Sequence, residues 1–327
     1  MRAEGRRGRT GRAVPAALAL LLPVLAACGG GSPARPSAEV AAPDAPAASP
    51  AATGSGPADG ATGTPARTVT AVTTPADGAT VGIGMPVSLR FGRAVADRAA
   101  VERAVTVTAD PPVPVVGHWF GDQRLDLRPQ HYWAPGTRVT VRLAFPGQAG
   151  GRPRTLAFRI GRAQLDTADL DAHTLTVRQG ATVLRTLPIS AGNPEHPTYT
   201  GLLVVSEKDP VTRMNSATVG MGDEYDIKDV PHAMRLTASG TFVHGNYWSP
   251  RGVFGTANTS HGCIGLADEK GGSADSPAGW FFDHTLVGDV IEVVSQLKGG
   301  QVPPQNGLNG WNLTWDQWVA GSALSVR

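Results

Sequence analysis

The sequence is short of most residue types that announce a structure or a chemistry. Of its 327 residues only two are cysteine, Cys28 and Cys263, and aromatic side chains make up 6%. Two cysteines cannot build a disulfide framework. No C-x-x-C or H-E-x-x-H pattern occurs, and His173, His196, His232 and His284 are scattered without ligand spacing, so neither a metal nor a cofactor is expected. Gly150-Gly151 lacks the Lys-Ser/Thr of a phosphate loop, which leaves nucleotide binding without support. There are no Glu/Lys/Leu heptads for a coiled coil, and the single apolar stretch is too short for a membrane bundle. Charge is scarce as well, at 17%. The formal net charge of +2 comes from five arginines in residues 1–27 against Glu4 alone; the remainder carries −2. A nucleic-acid partner would need a basic footprint, and none remains.

What is plentiful is glycine (41) and proline (27), a composition that suits short strands and turns better than long helices. The N-terminus begins with Arg2, Arg6, Arg7, Arg9 and Arg12, followed by the apolar run Ala13–Ala27, and residues 1–27 are expected to be an export signal. The run ends in Leu25-Ala26-Ala27-Cys28-Gly29, which resembles the lipobox of bacterial lipoproteins. That resemblance implies a diacylglycerol on Cys28 and an exported protein, anchored on the outer face of the cytoplasmic membrane and facing the cell wall. In residues 29–66, 33 of 38 are Ala, Gly, Pro, Ser or Thr. Such a segment buries too little apolar surface to offset its ordering entropy, so 28–66 is expected to be a lipidated, disordered tether.

Two folded regions follow, both mostly β. In 67–161 strand candidates recur between turn signals: Thr68–Val72, Val87–Phe91, Val105–Thr108, Val115–Phe120, Thr137–Ala144 and Thr155–Ile160. With one short helix capped by Asp97, the spacing predicts an immunoglobulin-like β-sandwich. His118 and His131 lie among aromatics there and read as packing or surface residues. In 162–297, Thr174–Arg178 and Thr182–Ile189 alternate around Gln179-Gly180 as a hairpin. Thr200–Ser206, Thr241–His244 and Asp289–Val294 are further strands, and Ser276-Pro277 opens a short helix. The extension 298–327 places Trp311, Trp315 and Trp318 at i, i+4, i+7, a helical stripe expected to pack on the preceding domains.

The chemistry is concentrated in Phe242–Trp248 and Thr259–Leu266. If Cys28 is lipidated, Cys263 has no intramolecular partner in an oxidising compartment, and an unpaired thiol there is a liability unless it is used. A thiol becomes a nucleophile when a neighbour lowers its pKa or takes its proton, and two histidines are at hand, His244 and His261. Paired with a base, the thiol would ionise below its usual ~8.5. Gly262 permits a tight backbone whose N–H groups could converge on one oxygen.

His244-Gly245 followed by Ser260-His261-Gly262-Cys263 resembles the catalytic signature of the L,D-transpeptidases with a YkuD-type domain. Papain-like and NlpC/P60-type hydrolases place their histidine after the cysteine. The likeness extends over Met214–Ser216, Tyr225, Trp280–His284 and Gly288–Val294, the immunoglobulin-like module and the Trp-rich tail, most of all to lipoprotein-type enzymes of actinobacteria. It implies that Cys263 attacks the third residue of a peptidoglycan stem tetrapeptide and releases D-Ala. The thioester would then pass to a second stem as a 3→3 cross-link. His244 would be the general base, oriented by the Gly245 carbonyl, with Gly262 and Cys263 N–H groups on the oxyanion and Tyr225 a further donor. His261 would support the loop. Tyr225, Asn246, Trp248 and Ser260 are the candidate substrate contacts, and the thiol would be a carbapenem target. After Cys263-Ile264 the family usually carries Arg or Asn, where this chain has Gly265; the missing donor bears on substrate affinity more than on acyl chemistry. An L,D-carboxypeptidase and a non-enzymatic peptidoglycan-binding lipoprotein are the alternatives.

Overall fold

Alternating apolar residues between glycine- and proline-bearing turns give the first folded region its strands. They are β1 (Ala71–Thr74), β2 (Thr80–Val81), β3 (Val87–Phe91), β4 (Val105–Asp110), β5 (Val116–Phe120), β6 (Arg124–Arg128), β7 (Arg138–Leu143) and β8 (Arg154–Ile160). The computed structural model describes residues 69–145, 153–220, 222–296 and 299–324; the expected export signal, the tether and Cys28 lie outside them. Two four-stranded sheets, in the orders β1-β3-β6-β5 and β2-β8-β7-β4, face one another as a sandwich. Every second residue of β7 (Val139, Val141, Leu143) points into the shared core, with Phe91, Trp119, Trp133 and Phe158. The helix α1 (Arg98–Arg103) is capped as expected, Asp97 Oδ1 accepting from the Ala100 N–H at 2.8 Å.

Strand β6 is not among the expected strands and does not alternate. Its five residues, Arg-Leu-Asp-Leu-Arg, are all buried. Asp126 accepts from the Ser88 hydroxyl at 2.6 Å and lies 3.2 Å from Arg124. The Arg128 guanidinium sits 4.1 Å from the Trp311 ring and 4.2 Å from that of Trp318, and burial pushes its pKa down to about 10.

The second region is one nine-stranded mixed sheet. Its strands are β9 (Leu165–Asp169), β10 (Thr174–Gln179), β11 (Thr182–Ser190), β12 (Gly201–Val204), β13 (Glu207–Asn215), β14 (Asp226–Arg235), β15 (Phe242–Asn246), β16 (Ile264–Ala267) and β17 (Val290–Val294). They are ordered β12-β17-β9-β10-β11-β16-β15-β14-β13. The hairpin β10–β11 turns at Gly180, as expected, whose φ of 58° suits glycine. Most neighbours are antiparallel, but β15 and β16 run parallel, with Val243 opposite Ile264 and His244 opposite Gly265. The helix α2 (Pro277–His284), capped by the Ser276 hydroxyl on the Gly279 N–H at 2.9 Å, packs against β14, β15 and β16.

The tail corrects one expectation. Trp311, Trp315 and Trp318 do not share a helix: a single turn at Gly310–Asn312 ends at Leu313, and α3 (Trp315–Ala320) starts afresh behind a Thr314/Gln317 capping box. Their packing does hold. Trp318 is fully buried and donates to Val116 O at 3.0 Å, while Trp311 donates to Gly84 O at 2.7 Å. His118 stacks on Trp318 with centroids 4.9 Å apart. On the other side, Asn309 Oδ1 and Asn312 Oδ1 accept from the N–H groups of Val204 and Leu202 on β12. The tail therefore bridges sandwich and sheet. A direct seam adds to this, Gly82 and Gly84 donating to Val287 O (2.8 Å) and Gly288 O (2.9 Å). A side chain at Gly82 would collide with the backbone of Asp289, so only glycine allows this approach. The described residues fall within one compact unit, Thr62–Arg327, and none of their helices is long and apolar enough to cross a membrane.

Candidate active site

The parallel pair β15–β16 brings the two halves of the motif together. In adjacent parallel strands residues of equal register share a face, and residues two apart along a strand do so again. Register therefore places His244 beside Gly265, with Cys263 two residues before it at the entrance to β16. Seventeen connecting residues, 247–263, make the crossover a hairpin could not make.

His244 is 4% exposed. Its Nδ1 donates to the Gly245 carbonyl at 2.9 Å, which leaves Nε2 with its lone pair, the form a base needs. Burial pushes its pKa below the usual histidine value, opposed by the Gly245 bond and the Asp268 carboxylate. Trp248 stacks over the ring at 5.6 Å and 16° while remaining 41% exposed.

The thiol overturns one expectation. Desolvation pushes Cys263 up to about 11 instead of down, with the Phe242 backbone and Arg235 favouring the thiolate only in part. Its S–H donates to Gly240 O at 3.6 Å, and among the described residues no hydrogen bond joins it to His244. Both shifts favour the uncharged forms, a protonated thiol and a neutral imidazole. Ionisation has to accompany attack, as general base catalysis provides.

Ser260 shapes the nucleophile loop. Its hydroxyl donates to Cys263 O at 2.6 Å and accepts from the Gly262 N–H at 3.2 Å. An oxyanion using that N–H would therefore compete with Ser260. Gly262 takes a φ of 108°, open to glycine alone among the common residues. Tyr225 packs beside Cys263 on Met214, Val230, Ala233 and Phe242, and its ring lies 5.3 Å from that of His261. Burial, and then Cys263, raise the Tyr225 pKa. Asn246 is committed to its own turn, bonding Ser249 through both amide atoms at 3.0 Å. A Cβ at Gly265 would lie 3.3 Å from Asn246 Nδ2, so a side chain at 265 needs Asn246 to yield by a few tenths of an ångström.

Several residues at the site escaped the sequence reading. Asp268, at the end of β16, accepts from His232 Nδ1 at 2.7 Å and from the N–H groups of Glu269 and Ser273, behind Gly245. His232 takes a φ of 50°, uncommon for a non-glycine residue. Arg235, bonded to Glu207 at 2.8 Å, lies over Phe242 and is the cation facing the thiol. His196 and His261, read as scattered and as loop support, converge on Glu224. Only the Gly-rich turns near Asp268 and the acidic run before Tyr225 hinted at any of these. His284 instead caps its own helix, bonding Trp280 O at 2.7 Å.

Comparison with known proteins agrees with this arrangement. A family model described as a bacterial Ig domain matches residues 49–149, and one described as an L,D-transpeptidase catalytic domain matches 166–293. L,D-transpeptidase 2 of Mycobacterium tuberculosis (strain CDC 1551 / Oshkosh) is 37% identical over 271 residues, which are 80% of this chain and 64% of that protein. L,D-transpeptidase 1 of strain ATCC 25618 / H37Rv is 38% identical over 226 residues, covering 67% of this chain and 82% of its own length. Among solved structures, an LD transpeptidase in complex with imipenem superposes with a TM-score of 0.58 at 36% identity, covering 69% of this chain and 98% of its own. An L,D-transpeptidase from Mycobacterium smegmatis does so at 0.55 and 34%, covering 70% and 100%.

Proposed function

The chain belongs to the L,D-transpeptidase family, and from that footing we propose that it forms 3→3 cross-links between peptidoglycan stem peptides through a thioester on Cys263. The observation that carries the proposal is the parallel register of β15 and β16. It sets an imidazole whose Nε2 has no hydrogen-bond partner among the described residues beside the strand that Cys263 leads into.

The steps follow from the protonation states. A bound stem peptide displaces the Gly240 carbonyl as partner of the thiol, and the S–H proton moves to His244 Nε2 as sulfur attacks the amide carbonyl. The oxyanion is held by the Cys263 N–H and by the Gly262 N–H as it leaves the Ser260 hydroxyl, with the Tyr225 hydroxyl as a further donor. Collapse breaks the C–N bond, His244 returns the proton to the departing amine of D-Ala, and the acyl group stays on sulfur. A second stem's amine then attacks the thioester, loses its proton to His244 and regenerates the thiol. A neutral starting pair places no buried charge in the empty site, and burial costs charge dearly.

Imipenem, bound by one of the solved relatives, would acylate the same sulfur here. The lipobox reading of Cys28 would hold the enzyme on the outer face of the cytoplasmic membrane, and the tether would let it reach the wall. Mass spectrometry of products from a purified tetrapeptide, with and without an acceptor amine, tests the reaction. Dimer with loss of D-Ala is expected. Tripeptide alone in both tubes would make the enzyme an L,D-carboxypeptidase, and unchanged tetrapeptide would leave only a binding lipoprotein.

A further inference from the structure

Among the described residues there is one place where three histidine, cysteine or carboxylate side chains converge, and it lies beside the nucleophile loop. His196 comes from the turn after β11, Glu224 from the segment leading into β14, and His261 from the loop before Cys263. Their ligand atoms all lie within 4.8 Å of one another. Both imidazoles aim Nε2 at the same oxygen, Glu224 Oε2, at 3.0 Å from His261 and 3.6 Å from His196. The rings themselves are 5.0 Å apart.

We propose that His196, Glu224 and His261 form a binding site for a divalent ion of the zinc class, and that the ion fastens the segment bearing Tyr225 to the nucleophile loop. Zinc bonds imidazole nitrogen and carboxylate oxygen at ~2.0–2.2 Å in a tetrahedron, whose edges are then about 3.3 Å. The two histidine–glutamate separations bracket that edge. The third only has to close by a rotation of partly exposed side chains, which are 26%, 42% and 36% accessible. Two nitrogens and one oxygen suit a borderline transition ion and do not suit Mg²⁺ or Ca²⁺, which take oxygen ligands in greater number. Partial exposure leaves the fourth position to water. Three segments distant in sequence would be joined at one point, with Glu224 immediately before Tyr225. The site needs no acyl transfer, so it stands or falls apart from the catalytic proposal.

The test uses the full chain with both thiols removed, Cys28→Ala and Cys263→Ala, so that sulfur cannot supply the ligand. Calorimetric titration with Zn²⁺ should give one ion per chain. Glu224→Gln or His196→Ala in the same background should weaken binding at least about 100-fold, more than loss of a supporting partner costs. Mg²⁺ should give no signal. Zn²⁺ should also slow amide hydrogen exchange at 222–226, and fail to do so in the Glu224→Gln chain. Absence of binding in the thiol-free chain, equal affinity after Glu224→Gln and His196→Ala together, equal binding of Mg²⁺, or unchanged exchange at saturating Zn²⁺ would each overturn the proposal.

Discussion

In the sandwich, Arg124, Asp126 and Arg128 sit side by side on β6, and each is held by a partner from elsewhere in the chain: Gln305 O, Ser88 and the tail tryptophans. On β15, His244 is buried as deeply but keeps one backbone bond and a nitrogen with no hydrogen-bond partner among the described residues. Burial depresses the affinity of both Arg128 and His244 for a proton. For the arginine this changes nothing at neutral pH, because the group stays charged and pinned. For the histidine it selects the neutral base. The two strands share burial and differ in what holds their polar groups: partners from distant segments on β6, where Arg124 Nε and Arg128 Nε still lack a hydrogen bond, and an adjacent backbone carbonyl on β15.

Removing the catalytic groups should break that contrast on one side only. Cys263→Ala is expected to abolish transpeptidation and the imipenem mass adduct while the melting temperature stays within a few degrees of wild type; product mass spectrometry and thermal denaturation read both. His244→Ala should slow acylation by roughly 10²–10⁴-fold, the usual weight of a general base, and His261→Ala by less. The base works as the neutral ring, and its pKa lies below the usual value. The acid limb of the acylation pH profile should therefore fall below about 6.5. A limb above that value would mean that the ring is not held as described.

On the other side, Arg128→Met should leave kcat/KM of the folded enzyme unchanged and cost about 2–4 kcal/mol of stability through lost ring contacts and hydrogen bonds. Denaturant titration measures it. Asp166, buried on β9 and hydrogen-bonded by Gln164, has its pKa pushed up to about 7 by desolvation. Between pH 3.8 and 7 the folded chain holds a proton that the unfolded chain has released, so stability falls as pH rises through that window. Asp166→Asn removes the dependence, and its melting temperature should exceed wild type at about pH 8 but not at about pH 4. The smallest effect is expected from Gly265→Asn. Neighbours 3.3 Å away must shift by tenths of an ångström, and the restored donor should lower KM by a few-fold with kcat nearly unchanged.

The immunoglobulin-like strands, the hairpin at Gly180 and the capped helix at Ser276 were legible because local pattern and turn chemistry decide them. The motif halves were legible because residue type and order alone carry them. Strand β6 was not, since Arg-Leu-Asp-Leu-Arg reads as a solvated segment until Trp311 and Trp318 arrive from the far end of the chain. The hairpin of β13 and β14, Glu207–Asn215 and Asp226–Arg235, is charged and Pro-interrupted, as strands at a sheet's margin are. The thiol's upward shift was misread for the same reason: desolvation depends on what covers the sulfur, and the covering residues are distant in sequence. The Trp stripe failed because Thr314 is a helix cap, and a cap overrides periodicity.

The parallel pairing of β15 and β16 has a consequence for how such a sequence can change over generations. Within residues 260–264 each position is bound to its neighbours by the turn that Ser260 closes, so an inserted or deleted residue there would move the sulfur off the strand. Between Asn246 and Thr259 the chain is fixed at both ends, by the Asn246–Ser249 turn and by Asn258 bonding Ala191, Leu170 and His173, and only the exposed stretch 250–252 between them lengthens at little entropic cost. The number of residues between base and nucleophile is therefore the freest quantity in the motif. Descendants of this sequence can gain or lose residues across that crossover, and reshape the rim around Trp248, while the histidine and cysteine keep their places.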